Sequence, residues 1–569
     1  MSSPTLPRND ELAEQLELLA DLSELEGESS FRVLAYRRAA TRIRETGGPV
    51  AQLALDGKAK SLAGIGATIE AKIVEVIELG EMKALTKRKA IVPEEVVQFM
   101  RLPGLGPKTA RRIWQELGVT TLAELKAAAE GERLRALAGL GATTEAKILK
   151  ALAEPPKDAR ESRRLLGEGL PAVLAVVSVL REHPAAVKVS EAGSVRRRRE
   201  TFRDLDIIAT STDAPALIDY FTKLRWVADV VAKGDTKATV ISNEGLRFDL
   251  RVVPPESYGN LLQHFTGSKE HNVALREEAA RRGFSVSEYG ITTSETGEVF
   301  SAGDEEAVYA HLGYAFIPPE LRENGGELVA ARDGALLVLV ERADLRGDLH
   351  SHSTWSDGKA TLEEMALAGQ ALGHEYLALC DHSPRLRDGR LERQWEEIDA
   401  LNERLAPFRI LKGIEVNIRA NGELDVADDV LAQLDWVMAS VHSSFENDPT
   451  GRVLAAMENP HVDCIGHPTS RKIGKRNPSS IEVERVVEAA LATGTFLEIN
   501  SQPDRLDLRD ANARMAGEAG LTLVISSDGH STGALGYLEL GIAQARRAWL
   551  TKEQILNTRP WPEIEKLLK

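Results

Sequence analysis

Asp348-Leu349-His350-Ser351-His352, with Asp357 five residues further on, opens the stretch that decides how this chain is read. The same kind of cluster then recurs. Asp381-His382 follows, then Glu415 in Gly-Ile-Glu-Val, His442 in Ser-Val-His-Ser, His467 in Ile-Gly-His-Pro, and Asp528 with His530 in Ser-Ser-Asp-Gly-His. Most are preceded by short apolar or small runs of strand type, at 377–380, 436–441 and 523–527. Ligands at the C-terminal ends of successive strands are how a barrel enzyme assembles a site. Imidazole mixed with carboxylate suits zinc, manganese or iron. The set exceeds what one ion needs, so more than one metal is expected. Any one of these histidines could be a satisfied core or surface residue; their recurrence, strand after strand, carries the reading.

A chain of 569 residues holds several domains. Its two cysteines, Cys380 and Cys464, argue against a disulfide framework and fit a reducing cytosol. The N-terminus lacks an apolar signal core and no run of 18 apolar residues occurs, so a cytoplasmic, nucleoid-associated protein is expected, with no membrane partner. The net charge of −16 is unevenly placed. Residues 1–300 carry 43 basic and 43 acidic side chains, so the imbalance lies in 301–569, while 101–200 holds 19 basic against 12 acidic. A basic middle and an acidic end suggest phosphate contact in one part and metal binding in the other.

Residues 10–90 read as helices, with Leu12, Leu16, Leu19 and Leu22 at three- and four-residue steps. A repeat follows. Leu62-Ala-Gly64-Ile-Gly66, Leu102-Pro-Gly104-Leu-Gly106 and Leu137-Ala-Gly139-Leu-Gly141 each precede a predicted helix, at 68–79, 107–117 and 144–152. A Gly-x-Gly hairpin ahead of a helix lets backbone N–H groups approach a phosphate at the positive end of the helix dipole. One such hairpin is only a tight turn. Three in register, with Lys72, Lys108, Arg111 and Arg112 close behind, point to contact with a nucleic-acid backbone and resemble the helix-hairpin-helix motif. Residues 153–157 read as a linker. Strands are predicted at 187–191, 205–210, 238–242 and 248–253, and the glycine-containing run 325–334 as the join to the metal-rich end.

In Gly193-Ser194-Val-Arg-Arg197-Arg-Arg-Glu-Thr-Phe-Arg-Asp204-Leu-Asp206, two aspartates stand at i and i+2 at the start of a strand. Period-two geometry turns both to one face. Asp249, which begins another strand, can complete a carboxylate triad able to hold two Mg²⁺ or Mn²⁺ ions. Gly193, Ser194 and the arginines supply N–H, hydroxyl and guanidinium groups for a triphosphate. The bland alternative is a solvated arginine run beside a turn.

On these residues, and on Arg247-Phe-Asp249 and Phe265-Thr-Gly267-Ser268, the chain resembles the X family of DNA polymerases from about residue 10 to 320. The resemblance implies that Asp204, Asp206 and Asp249 are catalytic metal ligands, with Asp249 taking the proton of the primer 3′-hydroxyl. It implies that Ser194 and Arg197 hold the incoming triphosphate, that Phe265 and Gly267 line the sugar pocket, and that Asn272 and Arg276 face the nascent pair and template. The family has Tyr where this chain has His264, which weakens the expected exclusion of ribonucleotides. Lys72 stands where the family's Schiff-base lysine stands, although Thr68 and Arg32 replace lysines that usually support it.

Residues 340–569 resemble the polymerase and histidinol phosphatase (PHP) domain that bacterial members carry. That resemblance implies a distorted (β/α)7 barrel and a site for up to three zinc, manganese or iron ions. The ligands would be His350, His352, Asp357, His382, Glu415, His442, His467, Asp528 and His530, with Glu415 bridging.

The expected organisation is multidomain α/β. A lyase-like helical domain spans 1–85, helix-hairpin-helix fingers 86–155, a nucleotidyltransferase palm 156–254, a thumb 255–320, a linker 321–338 and the barrel 339–569. The expected protein is a monomeric repair polymerase acting on gapped or primer-template DNA with deoxynucleoside triphosphates, coupled to a metal-dependent 3′-to-5′ exonuclease, abasic-site endonuclease or 3′-end-cleaning phosphoesterase, with an abasic-site lyase as a further activity of Lys72. The alternative is a small-molecule phosphatase of histidinol-phosphate type fused to a DNA-binding scaffold.

Overall fold

A computed structural model describes residues 6–7, 9–46, 50–62, 64–100, 102, 105–137, 139–153 and 163–568. They fall into two units, Met1–Arg160 and Glu161–Lys569.

The first unit is helical. Helices Asn9–Glu26 and Ser30–Glu45 begin it. The leucine stripe read from the sequence is its core, since Leu12, Leu16, Leu19 and Leu22 are fully buried. Each contributes about 1.5–3 kcal/mol by leaving water. The helices expected after the three Gly-x-Gly turns span Ala67–Leu79, Pro107–Leu117 and Ala142–Ala153. The first two stop at Gly80 and Gly118, whose φ of 80° and 69° put them in the left-handed region that closes a helix. The sequence-predicted linker lies outside the described residues except Ala153, the last residue of its helix.

The second unit begins with a five-stranded sheet ordered Ala186–Glu191, Leu205–Ser211, Arg247–Val253, Lys237–Ser242 and Val227–Lys233. Its central pair, Leu205–Ser211 with Arg247–Val253, is parallel and the other neighbours are antiparallel. Helices Tyr258–Thr266 and Lys269–Arg281 follow, with a small antiparallel sheet of Phe284–Ser287, Gly290–Thr293 and Val299–Phe300. The run 325–334, read as a join, contains a helix, Glu327–Arg332. Leu328 and Ala331 are buried with Leu275, Val308 and Leu312, and Glu327 accepts a hydrogen bond from His271 at 2.6 Å. Its glycines suggested a loop, but its apolar spacing docks it onto the preceding core.

Seven parallel strands then run in sequence order: Gly347–Ser351, Tyr376–Leu379, Arg409–Asn417, Trp436–Ser440, Cys464–Ile465, Phe496–Asn500 and Leu523–Ser526. Their near-continuous apolar character is that of strands covered on both faces. A bridge between Ser351 and Gly529 brings the last strand back to the first, giving a nearly closed barrel. Cys380 and Cys464 are free and buried in it. The barrel shares a core with the five-stranded sheet: Leu506 and Leu540 pack with Leu166, Phe202 and Leu205. Gly167 sits so close to Pro503 that a Cβ would lie 2.7 Å from it.

Candidate active sites

Asp206 and Asp249 face each other in register across the parallel strand pair, with Asp204 just ahead of the strand and near enough for its charge to act on Asp206. Burial, then the charges of Asp204 and Asp249, push the Asp206 carboxyl up to about 7. Carboxylates crowded together in this way suit divalent cations. Asp249 is held by the Thr239 hydroxyl and by Arg247 Nε at 2.9 Å. Gly193 has a φ of +63° and its backbone presses against Asp206, where a Cβ would come 2.2 Å from Oδ2. A side chain there would have to displace the Asp206 carboxylate.

The arginine run is not a solvated face. Arg196 reaches the Thr266 hydroxyl at 2.5 Å and Glu305 at 2.6 Å. Arg197 donates to Glu323 at 3.0 Å and to the Thr266 carbonyl at 2.5 Å, and Arg198 donates to the Val195 carbonyl at 2.9 Å. Gly267, with φ +72°, lies beside the Arg197 guanidinium. Phe265 packs under Arg251, whose guanidinium carbon is 4.2 Å from the ring centre. Asn272 donates to the His264 carbonyl at 2.7 Å. Arg276 lies 2.9 Å from His264 Nδ1. Guanidinium can only donate, so Nδ1 accepts and the proton sits on Nε2. Burial, then Arg276, lowers the His264 pKa and keeps the ring neutral.

The second cluster closes around Glu415, near the C-terminal end of its strand. His442 Nε2 and His467 Nε2 each approach its Oε1 at 3.2 Å. His382 Nδ1, His350 Nε2 and His352 Nε2 approach Oε2 at 2.9, 3.6 and 3.7 Å. His352 Nε2 is also 3.1 Å from Asp528 Oδ1, and Asp357 faces both His382 and His530, at 3.6 and 3.3 Å. All nine expected ligand residues therefore meet at one end of the barrel. Three overlapping groups have potential ligand atoms within 4.8 Å of one another: His352, Asp357, His382 and His530; His350, His352 and Asp528; and His382, Glu415 and His442. His350 Nε2, both nitrogens of His352 and Glu415 Oε1 are buried without a hydrogen-bond partner. Buried orphans of this kind, all of ligand type, are what metal ions would satisfy.

Sequence reasoning missed the residues that aim these ligands. Glu498 accepts from His350 Nδ1 at 2.7 Å and from the His467 backbone N–H at 2.6 Å. Asn417 Oδ1 meets His442 Nδ1 at 2.7 Å, and Asn500 donates to Asp528 at 3.0 Å. Such partners fix the ring orientation of a ligating histidine. The available signal was Glu498 and Asn500 alternating inside an otherwise apolar strand, the same period-two pattern that marked Asp204 and Asp206.

In the helical unit the hairpins repeat one hydrogen-bond pattern. Ile65, Leu105 and Leu140 N–H groups donate to the Leu62, Leu102 and Leu137 carbonyls at 3.0–3.1 Å. Gly64 and Gly139 have φ of +88° and +87°, and a Cβ on Gly66, Gly106 or Gly141 would meet nothing within 4 Å. The glycines thus leave open the face toward which the helix N–H groups point. Gly104 lies outside the described residues. Lys108 is exposed. Arg111, expected beside a phosphate, instead donates to the Leu25 and Glu24 carbonyls at 2.5 and 2.7 Å, ending the first helix. Arg112 pairs with Glu116. Lys72 stands partly exposed on helix Ala67–Leu79.

Residues 7–82 match the helix-hairpin-helix domain and 97–154 the SAM-like helix-hairpin-helix tandem. Residues 261–323 match the DNA polymerase beta thumb, and 348–502 the PHP domain. Over 567 residues the chain is 41% identical to the DNA polymerase/3'-5' exonuclease PolX of Bacillus subtilis strain 168, covering 97% of this chain and 98% of that one. A probable phosphatase of Thermoanaerobacter sp. strain X514 is 32% identical over 227 residues, 37% of this chain and 89% of the relative. A probable phosphatase of Shewanella sp. strain MR-4 is 30% identical over 37% of this chain and 87% of its own. No described helix is long and apolar enough to cross a membrane.

Proposed function

This chain belongs to the bacterial PolX family, and from that premise we propose that it is a DNA polymerase filling short gaps during repair, joined to a metal-dependent 3′-to-5′ exonuclease. The carrying observation is that one chain holds both a register-matched carboxylate triad and a complete ring of barrel ligands. The small-molecule phosphatase alternative is less supported, because the relatives named as phosphatases cover only 37% of the chain.

Divalent metals are implied by both domains, and the donor sets fit them. Asp204, Asp206 and Asp249 would hold two Mg²⁺ or Mn²⁺ ions; the nine barrel residues would hold up to three zinc, manganese or iron ions. When bound, such ions polarise the primer hydroxyl and the leaving pyrophosphate in one site and activate water against a phosphodiester in the other. The protein's own groups do the rest. Asp249, oriented by Arg247 and Thr239, takes the proton of the 3′-hydroxyl. Ser194, the Gly193 backbone and Arg197 bind the triphosphate, and Phe265 and Gly267 bound the sugar. Asn272 and Arg276 steady His264 at that edge and face the nascent pair. Glu415, at the centre of the histidines, would be a shared ligand of the barrel ions, and Glu498 orients the His350 ring by accepting from its Nδ1.

Gly64, Gly66, Gly104, Gly106, Gly139, Gly141 and Lys108 contact the phosphate backbone, which positions DNA without reading bases. Lys72 is the candidate for a Schiff base with an abasic sugar. The assigned domains are the lyase-like 1–85, fingers 86–155, palm 156–254, thumb 255–320 and PHP barrel 339–569, in a monomer, with the connecting stretch 321–338 packed on the thumb core through Glu327–Arg332.

The test is a gapped duplex with a recessed 3′ end, assayed with Mg²⁺ and Mn²⁺ separately and compared with p-nitrophenyl phosphate. Asp206→Ala should stop extension and leave 3′ degradation. His350→Ala with His352→Ala should do the reverse and lower the bound-metal content. Extension at wild-type rate in Asp206→Ala, or preferred turnover of the small phosphate ester, would overturn the reading.

A further inference from the structure

The nucleotide-binding loop is not anchored only by its own domain. Arg547, at the end of barrel helix Leu538–Arg547, is almost fully buried and faces three groups. It donates to Asp510 at 2.6 Å, to Glu323 at 3.0 Å and to the backbone carbonyl of Arg197 at 2.9 Å. Glu323 Oε1 is at the same time the acceptor for Arg197 Nε at 3.0 Å. Burial opposes charge on Glu323, yet Arg547, then Arg199 and Arg197, hold its carboxyl at about 2. A second contact lies three residues along the loop. Glu200 accepts from Arg471 at 2.5 Å and from Gln544 at 2.9 Å, both barrel residues. Arg471 and Gln544 also share the carbonyl of Leu506, the barrel residue buried in the sheet's core.

We propose that Arg547 is a positioning residue for the polymerase reaction: the nuclease barrel holds the loop that carries the triphosphate-binding arginine. The inference rests on the assignment of Arg197 to the triphosphate. Two physical effects act in the same direction. Arg547 pins the Arg197 backbone, so the loop is presented in one conformation before nucleotide arrives. It also shares Glu323 Oε1 with Arg197, so that this carboxylate holds the Arg197 guanidinium less strongly against the phosphates. Removing Arg547 loosens the backbone and tightens the unproductive Arg197–Glu323 pair, and both weaken nucleotide binding. The hydrogen bonds of Arg547 end on Arg197, Glu323 and Asp510 and not on the catalytic aspartates, so nucleotide binding should suffer more than the chemical step.

Steady-state single-nucleotide insertion by the full-length protein tests this, with 3′ degradation measured on the same preparations. Arg547→Met should raise the deoxynucleotide KM about tenfold, the worth of a charge-assisted hydrogen bond, with kcat and degradation within about threefold of wild type. Arg547→Lys keeps the charge and folds with the least disturbance. Lacking the planar fork it cannot serve all three acceptors, so an intermediate KM is expected. Arg197→Ala is the control for the underlying assignment. If Arg197→Ala raises KM while both Arg547 variants leave it unchanged, the positioning role is overturned and the triphosphate assignment stands. If Arg197→Ala itself leaves KM unchanged, the triphosphate assignment is the one that fails. A fall of polymerisation and degradation together in Arg547→Lys would also overturn the proposal, since it would mark a general loss of structure.

Discussion

Gly193→Ala is the sharpest test of the polymerase site, because the new methyl would meet a catalytic carboxylate and little else. The built Cβ lies 2.2 Å from Asp206 Oδ2 and 3.2 Å from its carboxyl carbon. Ordinary contact between such atoms is about 3.5 Å, so the loop and the carboxylate must part by about 1 Å. A displacement of that size in a reacting constellation costs about 10²-fold in rate. The φ of +63° adds a second, separable cost. An alanine there loses about 1–2 kcal/mol, which lowers the melting temperature of a large chain by only a few degrees. Gly193→Ala should therefore insert nucleotides about a hundredfold more slowly while remaining folded, with 3′ degradation intact. Single-turnover insertion on a one-nucleotide gap, run beside a thermal melt and a degradation assay, reads all three. Insertion within threefold of wild type would show that the Gly193 backbone does not set the position of Asp206.

The raised pKa of Asp206, about 7 against about 4 unfolded, makes the metal-free chain lose stability as pH climbs from about 4 to 7. A cation must displace that proton, so the Mg²⁺ needed for half-maximal extension should fall between about pH 6 and 8; a flat midpoint would contradict this. Glu498→Gln weakens the acceptor that aims His350, so retained metal and nuclease activity should drop about 10–100-fold with extension unchanged; equal metal content by elemental analysis would dismiss its role. Gly106→Val places its side chain in open space at an ordinary φ of −80°. The fold should be kept and binding to gapped duplex weakened whatever the sequence, a direct measure of phosphate approach by fluorescence anisotropy. His264→Tyr should reduce ribonucleotide insertion, which in wild type should be higher in Mn²⁺ than in Mg²⁺; equal ribo-to-deoxyribonucleotide ratios for the two proteins would give sugar selection to the backbone.

What could be read from the sequence was chemistry laid out along a single strand or turn. The closely spaced Asp204 and Asp206 mark the entry to a strand that carries Asp206 opposite Asp249, and the barrel histidines follow apolar runs because the ends of parallel strands are where ligands converge. The three hairpins were legible for the same reason, since each is complete within a few residues. What was not legible depends on partners brought together by the fold. Arg111 was read as a phosphate contact, but residue type cannot reveal that carbonyls 86 and 87 positions away would claim its guanidinium. The glycines of 325–334 suggested a join, while the burial of Leu328 and Ala331 depends on a core built from other segments. Glu200 with Arg471, and Arg197 with Arg547, are separated by 271 and 350 residues and obey no local period. These long-range pairs nevertheless bear on function, because they tie the triphosphate loop to the nuclease barrel. A reading that treats the two catalytic domains as independent follows naturally from their separate motifs. The buried arginines between them argue that the polymerase loop owes part of its shape to the barrel beside it.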